Sequence, residues 1–153
     1  MEYQTETPES KGPMAEGRLL YTVSAIVRKA SDRALAAWGL TVAQAPVLVI
    51  LREAGHPVMI TEVARRLLLE TPSITTMVDR LTERGLVERV KDPKDRRKTL
   101  VALTKKGRRL VDTIREPRRQ LQEEMFAALD ESERESLRTI LQKFRDANIG
   151  RLD

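Results

Sequence analysis

Four of the five cations in the run KDPKDRRK, namely Lys94, Arg96, Arg97 and Lys98, crowd into its last five residues, and the run lies between two β-branched segments. Guanidinium groups at the end of a stiff two-stranded ribbon can enter a groove too narrow for a helix, where the negative potential of a duplex is strongest. Lys94 and Lys98 would then meet phosphates as point charges. Asp95 would repel a polyanion unless paired, so it is expected either to orient Arg97 or to buttress the turn. A second set, Ser73, Thr75, Thr76 and Arg80, lies upstream. Small hydroxyl residues near a helix N-terminus can bond phosphate or base edges, and a threonine methyl can touch thymine. Taken alone, each set also suits a solvated surface, and Asp79 and Glu83 on the face of the hydroxyls favour that reading unless neighbouring arginines neutralise them.

The elements that would carry these groups follow from local signals. At 100° per residue, Ile74, Met77, Val78 and Leu81 gather on one face. Pro72, Thr76, Asp79, Arg80 and Glu83 oppose them, with Ser73 and Thr75 at the margins. Thr71 is the expected N-cap, Pro72 the first helical residue, and Gly85 the stop after Arg84. A shorter helix is expected from Thr61 to about Leu68, burying Val63, Ala64 and Leu67. Two short helices joined tightly make a helix-turn-helix. The segments Leu86 to Val90 and Thr99 to Leu103, with the charged run between them, predict a hairpin.

Before this core, residues 1–13 lack any period and predict a flexible arm. A helix follows, with Leu19, Val23, Ile26, Val27, Ala30, Ala34 and Ala37 on its apolar stripe and Gly39 as its stop. Thr41 and Gln44 form a capping-box pair before a helix that is apolar on most sides through Val47, Leu48, Ile50 and Leu51. Gly55 ends it, and HPVMI is an extended connector. After the hairpin, Thr104 caps a long helix with a stripe of Leu110, Ile114, Leu121, Met125 and Leu129. Pro117 lies inside it and predicts a kink or a break. Asp130 and Glu133 cap a last helix striped by Leu137, Ile140, Leu141 and Phe144.

The chain has 153 residues, 41% hydrophobic and 33% charged, which fits one largely helical domain. The net charge of +5 is uneven. Residues 80–109 hold 12 basic and 4 acidic side chains, against 16 and 19 in the remainder, so a basic block sits on a mildly acidic body. That pattern points to a polyanion. With no cysteine there are no disulfides or thiolate metal sites, which fits the cytoplasm. The longest apolar run, Ala45 to Leu51, is too short for a membrane span, and no secretory signal is visible. The single histidine, His56, falls in a turn; Glu123 and Glu124 read as helix surface; no phosphate-cradling glycine loop or G-x-S-x-G is present. The reading is a binding protein, not an enzyme, with no metal or cofactor.

At this point a resemblance is specific. GLVERVKDPKDRRKTLVALTKKG resembles the wing signature of the multiple antibiotic resistance regulator (MarR) family. AWGLTVAQAPVLVIL resembles that family's second-helix entry, and VARRLLLETPSITTMVDRLTERGL its helix-turn-helix. Together they span about Leu40 to Gly107; the flanking helices match by length and pattern. The resemblance implies a mainly α fold with a small β-hairpin wing. Residues 40–107 would be a winged helix-turn-helix domain, and 14–38 with 108–150 a helical dimerisation region whose first and last two helices interleave between subunits. The helix from Thr71 to Arg84 would be the recognition helix, and Arg97 would enter the minor groove. Leu68 stands where many members have glycine, which would adjust the interhelix angle.

A dimer is also expected because the terminal stripes lie outside the winged unit, which cannot cover them. Two-fold symmetry would set recognition helices about 34–36 Å apart on a pseudo-palindromic operator. The resemblance further implies repression relieved by a small, often aromatic or anionic effector bound between the two regions. Tyr21 and Trp38 could line such a cleft, or pack in the core or interface. The absence of cysteine argues against peroxide sensing, and the lone histidine against zinc sensing. The competing reading is an architectural winged helix that binds nucleic acid without sequence preference; it shares the salt dependence but has no operator.

Overall fold

The computed structural model describes residues 12–92, 95 and 98–152. Its order is α1 (Pro13–Ala36), α2 (Gln44–Ala54), β1 (Val58–Met59), α3 (Ile60–Leu67), α4 (Thr71–Glu83), β2 (Val87–Lys91), β3 (Thr99–Leu103), α5 (Lys105–Met125) and α6 (Glu131–Asn148), closed by a 3₁₀ turn. The architecture is the expected mainly α chain with a small antiparallel sheet. Residues 1–11, expected to form most of a flexible arm, lie outside the described residues.

Local chemistry explains most boundaries. Thr41 and Gln44 exchange side-chain bonds to each other's backbone N–H at 3.2 Å, as the capping-box spacing predicts. The regular helix nevertheless starts at Gln44, so the pair closes the turn that leads into α2. Gly55 ends α2 with φ 70°, a left-handed conformation that costs glycine nothing. α2 is central: Val47 and Leu48 are fully buried. Around them Leu35, Val63, Ile74, Val78, Leu81, Leu86, Val101 and Ile114 form one apolar cluster. Each such side chain stabilises the fold by about 1.5–3 kcal/mol relative to exposure.

The connector HPVMI does more than extend. Val58 and Met59 pair with Val101 and Leu100, making β1 the third strand of a sheet ordered β1-β3-β2. The hairpin register sets Val87 opposite Leu103 and Lys91 opposite Thr99. β3 is therefore the central strand, and Val101 and Leu103 point into the core.

The start of α5 is pressed against the root of the wing. Thr104 accepts from Gly107 N–H at 3.0 Å, the expected cap, and donates to the Gly85 carbonyl at 2.7 Å. A Cβ at Gly107 would lie 1.9 Å from the Leu86 carbonyl oxygen, so only glycine fits. Of the kink or break expected at Pro117, the break does not occur, because α5 continues through it.

Two compact units divide after Pro117. The first holds the core just described. In the second, Asp130 and Glu133 form a complete capping box at the start of α6, with both bonds at 2.9 Å. No residue of α6 is buried: Ile140 is 63% exposed and Phe144 54%. In the first unit, α1 likewise exposes Leu19, Val23 and Ile26.

Candidate nucleic-acid interface

α4 turns its apolar face inward as the period predicts. Ile74, Val78 and Leu81 are fully buried, and Met77 packs against them half-buried. The start differs from expectation by one residue. Glu70 holds the capping position, Thr71 is the first helical residue, and no side chain caps the end. Pro72 tolerates this shift because its fixed φ and missing N–H suit any early position of a helix. The uncapped N-terminus leaves the positive end of the helix dipole open to solvent and suited to a phosphate.

The structure brings Ser73, Thr76 and Arg80 to the solvent face of α4, with Thr75 half-buried at its margin. Thr75 donates to the Thr71 carbonyl at 2.9 Å and Thr76 to the Pro72 carbonyl at 3.1 Å. Each hydroxyl proton thus points back along the helix, leaving the oxygen as an outward acceptor and the methyl free for apolar contact. An acceptor matches a base amino group rather than a phosphate. Ser73 and Arg80 have no side-chain hydrogen-bond partner among the described residues, so both are available to an anion.

Of the two acidic side chains that weigh against a polyanion, Glu83 stands exposed, and Asp79 is answered by a residue the period could not reveal. Arg89 of β2 donates to Asp79 Oδ1 at 2.6 Å, tying α4 to the root of the wing. Arg89 faces α4 because β2 crosses beside it, a contact between elements that no local spacing signals. At the tip, the Lys98 N–H donates to the Asp95 carbonyl at 2.9 Å, and the Asp92 N–H to the Lys98 carbonyl at 3.2 Å. The Asp95 backbone therefore buttresses the turn, with Lys98 exposed beside it. Lys94, Arg96 and Arg97 lie outside the described residues.

On α3, Glu62 bonds both Arg65 and Arg66, and those hydrogen bonds hold its carboxyl below the usual range. The turn from α3 to α4 is made by Leu68 in a left-handed conformation, φ 54°, with its side chain 54% exposed. That conformation is the one glycine adopts freely, and a leucine there is strained by about 1–2 kcal/mol.

Tyr21 and Trp38 are not brought together within one chain. Tyr21 is 73% exposed on α1, whereas Trp38, beyond the helix end, packs half-buried against the core. At 1.5 Å per residue the intervening helix separates them by roughly 22 Å.

Residues 38–98 match the family model described as "MarR family". The multiple antibiotic resistance protein MarR of Salmonella typhimurium is 30% identical over 128 residues, covering 83% of this chain and 88% of that protein. Among solved structures, a mutant MarR from E. coli complexed with operator DNA superposes with a TM-score of 0.83 at 27% identity, covering 90% of this chain and 99% of that one. CouR from Rhodococcus jostii RHA1, bound to p-coumaroyl-CoA, superposes with a TM-score of 0.76 at 36% identity, covering 84% and 90%. The sheet-rooted hairpin and the two short helices before it are thus a winged helix-turn-helix, and the chain belongs to the MarR family of transcriptional regulators.

Proposed function

We propose that the protein works as a homodimer that represses transcription by seating two recognition helices, α4 of each copy, on a pseudo-palindromic operator. The observation that carries this reading is the outer face of α4. Ser73, Thr76 and Arg80 stand exposed there beside an uncapped helix N-terminus, while Asp79 is neutralised by Arg89. Arg80 supplies a phosphate or guanine contact, Thr75 and Thr76 read base edges or thymine methyls, and Ser73 bonds the backbone. Of the wing cations, Arg96 and Arg97 reach the neighbouring minor groove, Arg97 deepest, while Lys94 and Lys98 meet phosphates. The solved MarR–operator complex supports the mode of binding.

The exposed apolar faces of α1 and α6 support the homodimer. Residues of both are left in water by one chain alone: Leu19 and Ile26 on α1, Ile140 and Phe144 on α6. In the second unit, Phe126, Leu137 and Leu141 line a groove of about 380 Å³ that a helix of a second copy would fill. Release by a small-molecule effector is supported by the ligand held by the CouR structure. An effector site built from both Trp38 and Tyr21 would need the partner's Tyr21, given their separation.

The test is selection of bound duplexes from random DNA by the purified protein, with sedimentation of the free protein alongside. A dimer that enriches a two-fold-related sequence is expected. Equal recovery of every duplex would favour the architectural reading, and a monomer would overturn the paired arrangement. Repeating the selection in phenolic and lipophilic carboxylates tests release: an effector lowers recovery without unfolding the protein.

A further inference from the structure

Arg84 caps the C-terminal end of the recognition helix α4, and its side chain reaches across the fold. One guanidinium nitrogen donates to the Gly39 carbonyl at 2.6 Å and the other to the Trp38 carbonyl at 2.7 Å. These carbonyls belong to the turn that ends α1. Gly39 is left-handed, φ 63°, and a Cβ there would come within 3.2 Å of the Arg84 guanidinium, so the turn is shaped around that side chain. The main-chain carbonyl of Arg84 in turn accepts from Lys106 Nζ at 2.8 Å, in the first turn of α5. The next two carbonyls, Gly85 and Leu86, accept from Thr104.

We infer that Arg84 is a positioning residue whose guanidinium fixes the recognition helix to the turn that ends α1, and so sets the half-site spacing the dimer accepts. This rests on the dimeric operator-binding reading above. The physical argument is one of leverage. α1, together with α6 at the far end of the chain, would carry the dimer contacts, whereas α4 carries the reading face. Apolar packing of Ile74, Val78 and Leu81 holds α4 against the core but is non-directional, and the Arg89–Asp79 bond ties α4 to the wing, not to α1. Two short charge-assisted hydrogen bonds from a planar guanidinium are directional and fix the orientation. Two helices set rigidly apart engage both half-sites at once; loosely held ones engage them singly, and the gain from bivalent binding is lost.

The experiment uses the full chain and duplexes that the wild-type protein selects from random DNA. Three probes are compared: the intact selected site, the same site with one base pair inserted at its centre, and a single half-site. Arg84→Met keeps the apolar stem and removes the donors. It is expected to remain dimeric, to bind the half-site like the wild type, and to bind the intact site about 100-fold more weakly. Its discrimination between the intact and inserted sites should collapse, and Arg84→Lys, able to reach one carbonyl, should lie between. Should Arg84→Met fail to fold, Arg84→Lys carries the same comparison.

Undiminished spacing discrimination in a folded variant overturns the inference. Equal loss on half-site and intact site also overturns it, because Arg84 would then act on DNA contact or on folding alone. A wild-type protein that selects no sequence, or is monomeric, overturns the operator reading itself and this inference with it.

Discussion

The two compact units of this chain treat their apolar residues in opposite ways. In the unit ending at Pro117, Val47, Leu48, Ile74, Val78, Leu81 and Ile114 are all withdrawn from water, around a helix that is apolar on most sides. In the unit beginning at Arg118, α6 has a complete capping box and a regular apolar stripe yet buries nothing. Local signals of equal quality thus end in a finished core in one case and an unfinished surface in the other. The winged unit closes on itself because residues of α1, α3, α4, α5 and the sheet pack in one cluster with those of α2. The terminal unit has too few elements to surround its stripe, and a second copy of the chain is the covering we propose.

That contrast can be broken first in the winged core. Ile74→Ala leaves a cavity beneath the outer face of α4, the reading face we propose, and is expected to cost about 2–5 kcal/mol. Chemical denaturation would record it as a lower midpoint. A loss below about 1 kcal/mol would mean that the core is looser than its burial implies. Next is the unfinished face: Ile140→Asp places a charge on the stripe of α6 and should weaken self-association about 100-fold, close to 3 kcal/mol. Sedimentation would show monomer where the parent chain is dimeric; unchanged association would place the dimer contacts elsewhere.

A smaller effect is expected at the reading face itself. Thr76→Ala should relax preference at one operator position by about 1–2 kcal/mol, seen by repeating site selection with the variant. A uniform loss over all sequences would instead assign Thr76 to the backbone of the duplex. The smallest effect sharpens the picture at the turn between α3 and α4. Leu68→Asn substitutes a residue that tolerates the left-handed region, and thermal unfolding should show a gain of about 0.5–1 kcal/mol. A loss would show that the exposed leucine makes a stabilising contact.

Much of this molecule is legible residue by residue. The buried stripe of α4, the glycine at the end of α2, the paired bonds of Thr41 with Gln44 and of Asp130 with Glu133, and the hairpin segments all follow from spacings of a few residues. Those patterns also carry the family's wing and helix-turn-helix motifs. The start of α4 lies one residue from its expected place because a proline suits either of the first two positions. Pro117 leaves a choice between a kink and a break, and the helix continues through it. β1 shows in the sequence only as an extended connector, since two residues have no period of their own; its partners lie in β3.

The amino-acid order by itself determined which segments are helical or extended, which face of each is apolar, and that a hairpin with a basic connecting run follows a helix-turn-helix. These properties depend on backbone sterics and on neighbours within a turn or two. Only the tertiary structure decided that Arg89 neutralises Asp79, that Arg84 clasps the turn of Trp38 and Gly39, and that Gly107 lies under the Leu86 carbonyl. Each joins residues on different elements, and the partner of a long polar side chain or the clearance around a Cβ is set by how those elements pack.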